Sequence, residues 1–133
     1  MVSFNDNFKY DLQFGQIREQ RIADILLNET IEVKTERGQW VTSGNIAIEQ
    51  SYKGKPSGIA STEAKYWMHI LENNGVVIFT LLFRTYVLKQ LIKSIESKCS
   101  IIPGGDNKES ELILVPLHEL IIGAAQLPPS KLT

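Results

Sequence analysis

The sequence predicts an α/β protein in which a mixed central sheet is flanked by helices. Three observations carry that expectation. Residues 30–36 and 45–52 alternate polar and apolar side chains, the first run being rich in β-branched residues, as half-buried strands do. Residues 76–83 are apolar but for Thr80, the pattern of a buried central strand. Over residues 86–97, Val87, Leu88, Leu91, Ile92 and Ile95 form one stripe with lysines elsewhere, which is an amphipathic helix.

The remaining elements follow from local signals. Residues 1–14 mix polar and aromatic types and read as a loosely packed arm or an irregular first turn. Residues 15–28 read as a helix, with Ile22, Ile25 and Leu26 on one face and Asn28 at its end. Two glycines mark residues 37–44 as a loop, and Gly54-Lys55-Pro56-Ser57-Gly58 is a stronger loop signal. Ser61-Thr62-Glu63 offers a helix start and a short turn of helix before a third strand around 67–71. Asn73-Asn74-Gly75 is a turn, and residues 103–107 are a surface loop. Residues 111–115 read as a late strand and 116–122 as a short helix with proline at its first position. The end of the chain, from Gln126, contains two prolines and is expected to fray.

A chain of 133 residues, 43% hydrophobic, fits one domain with one sizeable core. The longest apolar run is far too short to span a membrane. No basic-then-apolar leader opens the chain, and the single cysteine, Cys99, has neither a disulfide partner nor clustered histidines for a zinc site. A cytoplasmic protein is expected. The net charge of −1 is not that of a strongly basic nucleic-acid binder. A metal-dependent site carries carboxylates of its own, however, and a bound divalent cation changes that local balance.

Glu32-Val33-Lys34 is the segment with the most chemistry in it. Residues two apart on a strand share a face, so Glu32 and Lys34 project together, in one row with Thr30 and Glu36, while Ile31 and Val33 are expected to face the core. A carboxylate can hold a divalent metal, and a neighbouring ammonium can act on an attacking water and on the charge that builds on a phosphate. The same triplet also suits a solvated strand face with a weak ion pair. Glu49 lies on the second predicted strand, opposite in face to Ile46 and Ile48. If the two strands pair as a hairpin, Glu49 sits beside Glu32, and two such carboxylates make a Mg²⁺ site. Glu19 falls within the apolar stripe of the first helix, with Ile22, Ala23 and Leu26 around it, where a carboxylate needs a metal or an ion pair. The loop that follows Glu49 brings Lys53, Lys55 and Ser57 together with glycines, a combination suited to a phosphate backbone, although it is not a P-loop. His69 and His118 are far apart in the sequence, no serine sits in a nucleophile elbow, and Cys99 has no evident base.

These residues resemble the PD-(D/E)xK nuclease superfamily. The resemblance rests on Gly15 to Glu19 in the first helix, on Ile31-Glu32-Val33-Lys34-Thr35, and on Gly44-Asn45-Ile46-Ala47-Ile48-Glu49 running on to Gly54-Lys55-Pro56-Ser57-Gly58-Ile59 and Ala64-Lys65-Tyr66-Trp67. Residues 15–71, about half of the chain, are similar to small phage-type nucleases of that group. The resemblance implies a restriction-endonuclease-like core and Mg²⁺-dependent hydrolysis of DNA, with Mn²⁺ able to substitute. It implies Glu32 and Lys34 as the (D/E)xK pair and Glu19 as the helix glutamate of the Holliday junction resolvases. Glu19, Glu32 and Glu49 would surround the metal, and Lys53, Lys55 and Ser57 would contact DNA. The family's aspartate on a preceding strand has no counterpart. Either Glu49 supplies the missing carboxylate, or Glu32 fills the upstream role with Glu49 as the motif acid and Lys34 as a migrated lysine, since Ser51 stands where lysine is expected. A junction- or branch-directed enzyme requires a homodimer, because two strands must be cut. A phage-type enzyme would work in the cytoplasm of its host. Two other readings stand beside this one: a sequence-specific endonuclease of homing or restriction type, and a non-catalytic DNA-binding or assembly module with a nuclease-like fold.

Overall fold

The structure is a computed structural model describing the backbone of residues 4–132 and the side chains of residues 11–132. The chain is mixed α/β and divides into two compact units, Met1–Thr30 and Ile31–Thr133. Among the described residues no helix is long and apolar enough to cross a membrane.

The first unit holds one helix, α1 (Phe4–Asn28), of 25 residues. It starts well before the predicted position, because nothing from Phe4 to Phe14 is a proline or glycine that would stop a helix growing back from the downstream turns. The arm expected over residues 1–14 is thus corrected from Phe4 on, and residues 1–3 lie outside the described ones.

The second unit contains two sheets. In the first, β1 (Ile31–Arg37) runs parallel to β4 (Tyr66–Asn73), and β4 pairs antiparallel with β5 (Val76–Arg84). The second is antiparallel in the order β3-β2-β7-β6, built from β2 (Asn45–Tyr52), β3 (Lys55–Pro56), β6 (Ser100–Gly104) and β7 (Ser110–Pro116). Helix α3 (Thr85–Ser94) contributes the predicted stripe: Leu88, Leu91 and Ile92, with Ile95 just beyond, cluster with Trp67 and Leu71 of the first sheet and Ile46, Ile48, Ile113 and Val115 of the second. Helix α4 (Leu117–Gln126) adds Leu120. The apolar stretch over residues 112–120 thus contributes Ile113, Val115 and Leu120 to the core.

Several expectations are corrected. Strands β1 and β2 do not pair as a hairpin but lie in different sheets. Strand β5 is the last strand of its sheet, and Val76 to Phe79 are exposed. The loop at 37–44 contains a one-turn helix, α2 (Trp40–Ser43), closed by Gly44 at φ 71°, where an L-residue would be strained. A 3₁₀ turn, Gly58–Ala60, comes before the expected helix start at Ser61 and replaces it. Pro116 caps α4 instead of opening it, and the tail forms a 3₁₀ turn over Pro129–Lys131.

Candidate functional site

Register decides which side chains share a face. Glu32 stands beside Trp67, Lys34 beside His69 and Glu36 beside Leu71, and adjacent residues in a sheet point the same way. Trp67, His69 and Leu71 are buried, so the polar row of β1 lies on the core-facing side. This reverses the expected orientation: Val33 is the exposed residue, on the other face. Lys34 Nζ lies 3.2 Å from Glu32 Oε1 and 5.9 Å from the centre of the Trp67 ring. The ammonium is thus held between a carboxylate and an aromatic face, with its side chain still partly open to solvent.

Glu36 is the most tightly positioned member of the row. Its Oε1 accepts the backbone N–H of Ala47 and lies 3.1 Å from Nε2 of His69. The Trp67 indole, which can only donate, gives its N–H to His69 Nδ1 at 3.1 Å. His69 Nδ1 is therefore an acceptor, the ring proton sits on Nε2, and that proton goes to Glu36. His69 is 1% exposed, so the chain Trp67–His69–Glu36 is a satisfied buried network that fixes one carboxylate oxygen. The Ala47 contact also ties β1 to β2. Residues 47 and 49 lie two apart on β2, roughly 7 Å along it. Glu36, not Glu32, is thus the carboxylate that β1 presents to the strand bearing Glu49.

Glu49 is held by hydroxyls. Its Oε2 accepts Ser57 Oγ–H at 3.0 Å and its Oε1 accepts Ser110 Oγ–H at 2.7 Å. Ser57 reaches it because the chain turns back after β2. Lys53 and Gly54 have φ of 51° and 77°, the signature of a tight type I′ hairpin turn. Ser57 N–H then bonds Gln50 C=O, and Gly58, at φ 53°, packs on the Glu49 carbonyl so closely that a Cβ would come within 2.2 Å of it. Only glycine fits there. Lys53 lies 3.8 Å from Glu109 and stacks over Tyr52, while Lys55 is exposed.

The predicted residues therefore fall into separate groups. Glu32 and Lys34 are together. Glu49 and Ser57 are together, with Ser57 turned onto the carboxylate and not outward. Lys53 and Lys55 flank that turn. Glu19 belongs to the helical unit and is exposed there, as are Ile22 and Leu26 beside it, so its carboxylate has no buried position to justify. Among the described residues no group of three or more His, Cys, Asp or Glu side chains is arranged to hold a metal ion. Sequence reasoning gave Glu36 no role and set His69 aside. The signal for Glu36 was its place in the polar row. Nothing in the sequence announced that Trp67 and His69 would support it from β4, 33 residues from Glu36 to His69. No protein-family model, curated protein or solved structure matches the chain.

Proposed function

We propose that this chain is a metal-dependent endodeoxyribonuclease with a restriction-endonuclease-like core, acting on branched or junction DNA as a homodimer. The observation that carries the reading is the polar row Glu32–Lys34–Glu36 on the core-facing side of β1, with Glu36 fixed by Ala47 and His69 where β1 meets the Glu49 strand. Desolvating a carboxylate costs stability, so the largely buried Glu36, in one row with the partly solvated Lys34–Glu32 pair, is better explained by chemistry than by packing. Glu32, Glu36 and Glu49 offer only hard oxygen donors, the type that Mg²⁺ or Mn²⁺ takes. Such an ion would supply Lewis-acid activation of water. Among the described residues these three do not converge on one point. Glu19 is retained from the family resemblance alone. Lys34 would hold a phosphate oxygen and offset its developing charge, and Lys55, Lys53 and the Ser57 turn would meet the flanking backbone.

The test is cleavage of a panel of branched and linear DNAs by Lys34→Ala and Glu36→Gln chains with Mg²⁺ or Mn²⁺. Both are expected to lose on the order of 100-fold or more in kcat/KM while melting like the native chain. Native-level cutting by both rules out this site. A second reading, a DNA-binding or assembly module without catalysis, is favoured by one observation: both Glu49 oxygens are already engaged by Ser57 and Ser110. It predicts DNA binding with no stoichiometric Mn²⁺ uptake by calorimetry. Cleavage of random-sequence duplex pools separates a structure-directed enzyme from a sequence-specific one, which would yield a consensus.

A further inference from the structure

Four strands end the two sheets, and three of them are blunted against pairing. Strand β1 carries Glu32, Lys34, Glu36 and Arg37. Strand β3 is two residues long and contains Pro56. Strand β6 contains Pro103. Charge, brevity and proline are the usual devices that keep an open edge from capturing another strand. Strand β5 has none of these three, and its one irregularity is a register shift against β4, where Leu71 pairs with Phe79 and Glu72 with Val77. It is nine residues long, pairs with β4 on one side only, and holds neither a charge nor a proline from Val76 to Phe83.

Its side chains repeat the message. Val76, Val77, Ile78 and Phe79 are 58%, 55%, 49% and 56% exposed, and because neighbours on a strand alternate in direction, both faces are open. An unpaired backbone edge flanked by apolar side chains on both faces is what a second strand covers. We propose that the occupant is β5 of a second copy of this chain, paired antiparallel about a two-fold axis so that the three-stranded sheet becomes six-stranded across the dimer.

The strand is complementary to itself in one register. With its midpoint, Thr80, on the axis, Val76 meets Arg84, Val77 meets Phe83, Ile78 meets Leu82 and Phe79 meets Leu81. Apolar residues face apolar residues, and the single charge, Arg84, never meets its copy. An isologous contact of this kind closes after two subunits and leaves only the blunted edges β1, β3 and β6. Half-exposed side chains of this size, together with a nine-residue edge, bring the surface to the order of 1,000 Å² in total, the size at which specific association begins. The inference does not depend on the nuclease reading, since the dimer forms without DNA or metal. For that reading it would supply the second centre that cutting two strands requires.

Thr80 is exposed, and it alone would face its own copy, so it tests the register. The full-length chain is expected to sediment as a dimer at micromolar concentration. Thr80→Lys and Thr80→Glu chains each place like charges opposite one another and should raise the dimer Kd by roughly tenfold or more. Mixed in equal amounts they should dimerise again, which chains that had lost their fold could not do. A native chain that stays monomeric, a Thr80→Lys chain that dimerises as tightly as native, or a mixture that remains monomeric would each overturn the proposal.

Discussion

The two outer strands of the three-stranded sheet, β1 and β5, flank the same partner and invert each other's chemistry. Strand β1 turns Glu32, Lys34 and Glu36 toward the core side and leaves Val33 in solvent. Strand β5 carries no charge in its first eight residues, Thr80 being the one polar side chain among them, and leaves its first five exposed. Each breaks the rule that apolar faces go inward and polar faces outward. The lesson is that both departures have a local price and neither is repaid by packing within the unit. Glu36 is matched by a backbone N–H and a buried histidine, more order than packing alone requires of a strand carboxylate. Among the described residues no strand pairs with β5 on its free side. Departures of this kind are where function is expected to lie, chemistry on one edge and association on the other.

The largest effect should come from breaking the β1 side. Glu36→Leu removes the acceptor for both Ala47 N–H and His69 Nε2–H and leaves two buried donors unpaired. A cost of about 1–3 kcal/mol per orphaned group is expected, seen as a lower denaturation midpoint at unchanged slope. Glu36→Gln keeps the acceptor oxygen and should cost far less. Equal stability of the two variants would show that the network holds nothing in place.

The same comparison is weaker on β5. Ile78 is half exposed, so Ile78→Lys should change the stability of the folded subunit by no more than about 0.5 kcal/mol when measured where the chain is monomeric. A loss as large as that of Glu36→Leu would mean that the strand is packed within the subunit after all, and the contrast between the two edges would disappear.

How much of this was legible in the sequence follows from the same two strands. The element order, most strand positions and the α3 stripe were readable, because period and turn chemistry are local. Which strand sits beside which is not local. A largely apolar run such as 76–83 looks alike at the centre of a sheet and at an edge that another chain covers, so β5 was read as central. Strand β6 was missed because Pro103-Gly104 signals a turn, and proline is tolerated there only because β6 is an edge. In the site, the shared direction of Glu32 and Lys34 was readable from alternation alone. The pairing of β1 with β4 instead of β2 was not, and it separated Glu32 from Glu49 and brought His69 to Glu36.

The smallest effect is expected at Cys99, which lies on neither strand and so serves as a control for both. Burial, and secondarily the Glu96 carboxylate, push its thiol above the ordinary value, and the protonated sulfur donates to the Ile95 carbonyl at 3.5 Å. At mildly alkaline pH less of it is thiolate than in an unfolded chain, so iodoacetamide should alkylate it several-fold more slowly in the native state, the gap closing as pH rises. The linkage has one sign. A thiol raised in the folded state contributes stability that is complete below the unfolded value near 9.0 and is lost as pH climbs through the folded one. Ile78→Lys should leave the alkylation rate unchanged, whereas Glu36→Leu should quicken it by loosening the core that Cys99 packs against. Equal rates in both variants would mean that the β1 network and the core do not communicate, and that the contrast between the two edges stops at the sheet.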